Sequence, residues 1–259
     1  EDKPDMSPAL DYDQIAHLYD AFVRTEADLP FWLEECSTFP GAVLELMCGT
    51  GRLSLPLRRA GIDLVCVDGS LSMLDVLRGK LALGGLSAPV IHCDVAALPF
   101  SAGFALAILP FQSFNELVTP MEQLAALRGV AAALRPGGRL VFTAHNPPVR
   151  LRGVAQGLTE VTRAPFGLGG EVAVALDVRY RPDEGMVEGV EVVTALDADG
   201  RIVAEHRLPI RFALIDLPTL QARLREAGFD TEAVYGSYDR SAFIADSSPY
   251  IILRAKRSG

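Results

Sequence analysis

The chain has 259 residues, 49% of them hydrophobic, enough for a sizeable core, so disorder is excluded as the default and one large domain, with or without an insertion, is expected. Its 24 lysines and arginines against 33 aspartates and glutamates give a formal charge of -9, which would repel a phosphate backbone unless the basic residues gathered on one face. They do not gather, and no apolar run approaches the ~18 to 20 residues that span a bilayer.

The amino end, EDKPDMSPAL, is acidic and lacks the apolar stretch of a signal peptide. Cys36, Cys48, Cys66 and Cys93 lie apart, with no histidine spaced for zinc, so no metal is expected and a reducing cytoplasm fits best. From Asp11 to about Cys36, Ile15, Leu18, Tyr19 and Phe22 recur at spacings of three and four and predict an amphipathic helical cap over residues 1–41.

After Pro40 and Gly41, residues 42–46 form a short apolar run of the kind a buried parallel strand shows. The CGTG turn at residues 48–51 then leads into a helix ending near Ala60, whose Pro56 demands a late start near Ser54 or a kink. Residues 62–67 read as a second strand closed by Asp68, and Ser70 caps a helix running to about Leu83. Strands are predicted at 90–92, 104–109 and 139–144, with a helix from about Met121 to Leu134 and a turn over Arg135, Pro136, Gly137 and Gly138. Strands alternating with helices over 42–150 predict a doubly wound, mostly parallel sheet with right-handed crossovers.

Beyond Pro148 the pattern changes. Residues 172–180, 186–196 and 202–212 are long, alternating and Val-rich, separated by PDEG and DADG, and predict an antiparallel sheet inserted over 151–215 as a lid on one end of the main sheet. A helix over 217–227, stopped by Gly228, and strands at 231–235 and 250–254 return the chain to the core over 216–259.

In an open parallel sheet, ligands bind beyond the carboxyl ends of the strands, where the winding direction reverses. Gly49 and Gly51 let backbone approach a ligand, and Asp68, closing the second strand, is placed to accept from both hydroxyls of a ribose. Asp94 after the third strand can accept from an exocyclic amine, and Met73 offers a polarizable face to an aromatic ring. Together they describe a site for an adenosine with a small polar tail.

From Val43 to about Thr143, with a looser match to the end, the chain resembles the class I S-adenosylmethionine-dependent methyltransferases, through VLELMCGTGRLSLPL, VCVDGSLSML, IHCDVAALPF and LRPGGRLVF in that order. The resemblance implies a seven-stranded Rossmann-like sheet whose antiparallel strand is supplied by residues 250–254, S-adenosylmethionine as cofactor, and methyl transfer to a small molecule. It makes Glu45, Gly49 and Gly51 contacts to the methionine end, Asp68 the ribose ligand, Met73 and Val95 the adenine walls, and Asp94 the acceptor of the adenine amine. The family has glycine where Met47 stands; the side chain is expected to turn into the core.

For the acceptor side, His145 just past the fifth strand is the candidate base, Tyr19 and His17 on the amino-terminal helix could close over the cofactor, and Gln112, Asn115 and Glu116 should border the pocket. The run HNPPV from His145 differs from the NPPY motif of nucleobase methylation: it follows the fifth strand rather than the fourth and ends in Val149 rather than an aromatic ring. Two alternatives stay open: a nicotinamide oxidoreductase, which also uses a glycine turn and an acidic strand end although Ser54 takes its third glycine position, and a non-catalytic relative acting as a regulatory subunit. An exposed edge strand of the insertion also leaves self-association into a homodimer open.

Overall fold

The computed structural model describes residues 10–154 and 157–258; most of the acidic amino-terminal stretch lies outside the described residues. The chain runs α1 (Ala16–Phe22), α2 (Leu29–Thr38), β1 (Val43–Leu46), α3 (Ser54–Arg59), β2 (Leu64–Asp68), α4 (Leu71–Leu83), β3 (Val90–His92), β4 (Phe104–Leu109), α5 (Pro120–Ala133), β5 (Leu134–His145) and α6 (Pro147–Arg152). It continues with β6 (Thr159–Phe166), β7 (Gly170–Arg181), β8 (Met186–Leu196), β9 (Ile202–Ala213), α7 (Leu217–Glu226), β10 (Phe229–Tyr235) and β11 (Tyr250–Arg257).

Among these residues the main sheet has seven strands in the order β10-β11-β5-β4-β1-β2-β3. β1 pairs in parallel with both β2 and β4, so the winding reverses between β1 and β4, while β11 runs antiparallel to β5 and β10. Every residue of β1 and β4 is buried, as continuous apolar runs in a covered parallel sheet require. Leu44, Leu46 and Phe142 pack on one face of this sheet, and Leu57, Leu74 and Ile108 on the other. Local signals set the helix starts: the Ser70 Oγ accepts from Met73 N at 3.1 Å at the head of α4, and Thr119 with Glu122 forms a reciprocal capping box at the head of α5.

Between α6 and α7 lies a second, antiparallel sheet ordered β6-β7-β8-β9, in continuous register from Glu171↔Leu196 to Arg181↔Met186. Three of its strands match the alternating Val-rich segments. The fourth, β6, is an exposed edge containing Pro165, whose pattern of short polar and apolar residues carries no buried face to reveal it. The inner face, with Val172, Val174, Val193 and Leu208, is covered by Leu10, Ile15, Leu18 and Ala21 of the amino-terminal segment. Ile15 and Leu18 are essentially solvent-free and contribute about 1.5–3 kcal/mol each.

The helical cap expected from Asp11 to about Cys36 is a 3-10 turn at Tyr12–Gln14 followed by α1 and α2, which an irregular segment and turn at residues 23–28 separate. The break is held from outside: Arg52 donates to Thr25 O at 3.0 Å and to both Asp28 carboxylate oxygens at 2.5 and 2.8 Å. Pro56 sits in the first turn of α3, which starts at Ser54, so its missing N–H costs no helix bond. The RPGG turn is absorbed into β5 as an irregularity where the pairing with β4 shifts between Phe104 and Leu106.

Candidate active site

Three loops at the carboxyl ends of β1, β2 and β3 meet the 3-10 turn Ser113–Glu116 after β4 and the amino-terminal segment around a cavity of about 410 Å³. The loop after β1 is wound tightly: Met47, Gly49 and Gly51 take φ of +53°, +55° and +87°. Any side chain at Gly51 would collide with Leu77 and Leu55. Gly49 N donates to Asp68 Oδ2 at 2.7 Å and Ser70 N to Asp68 Oδ1 at 2.8 Å, so one carboxylate ties the first loop to the second. Burial raises the Asp68 carboxyl above its ordinary range, opposed by these backbone donors.

The amino-terminal segment forms the opposite wall and is bonded to the loops it covers. Asp13 accepts from Ser70 Oγ at 2.6 Å and from Ser72 N at 3.0 Å. Thr50, between the two glycines, donates to Asp20 Oδ1 at 2.6 Å. Tyr12 and Tyr19 meet edge to face at 5.9 Å, and the Tyr12 hydroxyl donates to Glu116 Oε1 at 3.0 Å. Burial pushes the Glu116 carboxyl up to about 7 against the lowering effect of that bond. The Tyr19 phenol is raised too, first by desolvation and then by Glu116, and its hydroxyl has no hydrogen-bond partner among the described residues.

Gly49, Asp68, Met73, Asp94, Val95, Tyr19 and Glu116 are thus all brought to one cavity. Met73 and Val95 are buried, and Asp94 accepts from Ala96 N at 2.8 Å, starting the 3-10 turn Val95–Ala97. Met47 packs on the core as expected yet also forms part of the cavity wall. Sequence reading missed Tyr12, Asp13, Ser70 and Ser113 on the walls; Tyr12 and Asp13 sit in a 3-10 turn whose spacing imitates the first turn of the helix behind it.

Other expected residues lie elsewhere. Glu45 is buried beneath the loop, where it accepts from Ser54 Oγ at 2.6 Å; burial pushes its carboxyl up to about 7. Gly51 is at the back of the loop, against Leu77 and Leu55, facing a different surface recess. Gln112 opens on a separate cavity with Phe31 and Tyr238 and bonds to Thr143 Oγ1 and the Tyr238 hydroxyl. Asn115 is a buried brace, donating to Ala213 O at 2.6 Å and accepting from His145 N at 2.9 Å. His145 lies off the cavity with its ring 5.2 Å from Phe212, and burial together with Arg150 depresses its imidazole to about 3. It is therefore a corrected candidate: a ring so depressed is a feeble base, and it does not face the site. His17 instead meets His206 edge to face at 6.0 Å.

The cavity's charge is one-sided. Asp11, Asp13, Asp68, Asp94, Glu116 and Glu122 all stand on its walls, and among the described residues no lysine, arginine or histidine does. Their recorded partners are neutral donors, and none forms an ion pair with a described residue.

A family model described as a methyltransferase domain matches residues 43–138, the segment that carries the three loops. Demethylmenaquinone methyltransferase of Paenarthrobacter aurescens (strain TC1) is 31% identical over 183 residues, covering 64% of this chain and 68% of that protein. This chain belongs to the S-adenosylmethionine-dependent methyltransferases. Cypemycin N-terminal methyltransferase of a Streptomyces species is 28% identical to the methyltransferase over 96% of this chain and 98% of its own. The structure of the CcbJ methyltransferase from Streptomyces caelestis superposes with a TM-score of 0.79 at 24% identity, covering 98% of this chain and all of the other, and so shares the fold including the inserted sheet. Family membership decides against the oxidoreductase alternative. The residues present fit the cofactor: a half-buried carboxylate beside a glycine loop, apolar walls at Met73 and Val95, and a volume within the 300–1,000 Å³ usual for small-molecule sites. No helix of the described residues is long and apolar enough to cross a membrane, and no group of metal-ligating side chains occurs among them.

Proposed function

We propose that this methyltransferase alkylates the nitrogen of a small-molecule amine. The observation that carries the reading is the cavity wall with six carboxylates and, among the described residues, no basic side chain, a surface that favours a cation. The name of the cypemycin relative, which specifies an N-terminal methyl acceptor, supports the same chemistry. The net acidic charge disfavours a nucleic-acid acceptor.

On the cofactor side, the Gly49 turn holds the methionine end, Asp68 takes the ribose hydroxyls, Met73 and Val95 enclose the adenine, and Asp94 receives its amine. Held there, S-adenosylmethionine would supply an activated methyl carbon on a charged sulfur to the acceptor's nitrogen lone pair. The nitrogen must first be neutral. Glu116 is the group placed to take its proton, since it faces the cavity and its carboxyl is pushed up to about 7, the range in which a base works near neutral pH. Tyr12 orients that carboxylate through its 3.0 Å bond. Tyr19 closes the wall, and the amino-terminal segment excludes water. Alignment of this kind supplies roughly 7–11 kcal/mol of barrier reduction without any covalent catalyst.

The test is transfer of a labelled methyl group to a panel of primary and secondary amines, alcohols and thiols. N-methylated product with amines is the expected result; transfer confined to oxygen, sulfur or carbon overturns the reading.

A further inference from the structure

The inserted sheet carries one residue that its own architecture does not explain. On β8, side chains alternate between faces, and the row Val187, Gly189, Glu191, Val193, Ala195 faces inward, with Val193 and Ala195 in the cluster covered by the amino-terminal segment and Val187 in the cluster next to it. Glu191 interrupts this apolar row. Its register partners are Leu176 on β7 and Leu208 on β9. It makes no hydrogen bond or ion pair among the described residues. Burial alone pushes its carboxyl up to about 7, so nothing nearby compensates its charge.

A carboxylate in that position costs stability unless something repays it, and natural proteins keep such groups where function uses them. The face on which it stands is the one the amino-terminal segment covers: Tyr12 packs on the cluster that holds Leu208, the register partner of Glu191, and Tyr12 in turn donates to Glu116 on the cavity wall. The charge of Glu191 accordingly acts to raise the Tyr12, Tyr19 and Glu116 groups, which line that cavity from three other segments.

Resting on the amine reading, we propose that Glu191 is a positioning residue that gives the acceptor end of the cavity its preference for a cation, acting on Glu116 and the two tyrosines from the sheet behind them. Glu116 meets the ammonium group; Glu191 adds a second negative charge that one cation in the cavity can offset together with the first. The acceptor thus enters as R–NH3⁺, gives one proton to the Glu116 carboxylate, and presents its lone pair as R–NH2; the proton leaves to water when the product goes. The inserted sheet is by this account part of acceptor selection rather than a cover alone.

The experiment compares binding of n-hexylammonium and n-hexanol to the full chain loaded with S-adenosylhomocysteine, for the native protein and for Glu191→Gln. The native protein should bind the ammonium probe at least tenfold more tightly than the alcohol. Glu191→Gln should cut that preference fivefold or more while leaving the affinities for hexanol and for S-adenosylhomocysteine within twofold. Glu191→Asp should restore part of it. Glu191→Met, suited to the apolar row, should melt no lower than the native protein and yet lose the preference, and it serves in place of Glu191→Gln should that variant fail to bind S-adenosylhomocysteine. An unchanged preference in both variants, a parallel loss for both probes, or no preference in the native protein overturns the proposal. Because this readout is binding, it stands apart from the acceptor panel: a native preference that vanishes with Glu191, in a protein that methylates only oxygen, would sink the amine reading and leave the role of Glu191 intact.

Discussion

The two sides of the cavity are built by different means. On the side proposed for the cofactor, the structure rests on backbone conformation and contiguous loops: three left-handed residues within five positions, and one carboxylate bridging Gly49 and Ser70. On the side proposed for the acceptor, side chains arrive from the 3-10 turn at Tyr12–Gln14, α1, the turn after β4 and, behind them, β8. The first construction recognises something constant and leaves a local signature. The second can be changed one side chain at a time without disturbing the first, which is what a family with one cofactor and many acceptors requires.

Substitutions can break that contrast at graded cost. The largest effect is expected from Asn115→Ala, which would leave the Ala213 carbonyl and the His145 N–H unpaired inside the protein. About 3–4 kcal/mol of stability should be lost in denaturant unfolding, because this residue couples β9 to the main sheet. Next is Asp68→Ala, which should weaken S-adenosylmethionine at least ~100-fold by calorimetry, about 2.7 kcal/mol, while acceptor binding changes little. A change in both would show the two sides to be one unit.

Glu45→Gln should act through pH. The folded carboxyl, at about 7, is raised above its unfolded value of 4.5, so its contribution is complete below about 4.5 and is lost as pH rises through about 7. The native protein should therefore lose on the order of 3 kcal/mol relative to the variant across that window in melts at successive pH values. Cofactor affinity should stay within threefold, because Glu45 lies beneath the loop; a large loss would return it to the contact surface. The smallest effect is expected from Met47→Gly. Relief of the positive φ, about 1–2 kcal/mol, offsets the lost packing and the added unfolded-state entropy, so stability should move by less than about 1 kcal/mol. Affinity for S-adenosylmethionine should rise as the wall recedes; a fall would mean the thioether is part of the grip.

The same contrast explains what could be read from the residues alone. The strand end at Asp68, the helix starts at Ser54 and Ser70, and the hairpins around PDEG and DADG are local events written in a few consecutive residues, and the structure contains them. His145 is a candidate by its position past a strand end, but which way its ring turns depends on Phe212, far along the chain. Gln112 and Asn115 were placed with Glu116 by adjacency; the left-handed Phe111 and Gln112 and the following 3-10 turn send the three side chains to three different places. Glu191 was invisible for the opposite reason: one glutamate in an alternating strand reads as a solvent position until the sheet's covered face is known.

The one-signed wall has a kinetic consequence. Acidic residues around a mouth in a protein of net charge -9 focus a negative potential that draws in positively charged reactants and speeds their encounter, an advantage that added salt screens away. After reaction the sulfur of the spent cofactor is neutral, so the attraction that gathered it is gone. The field thus favours arrival over retention, discharging the by-product without any moving part being needed to expel it.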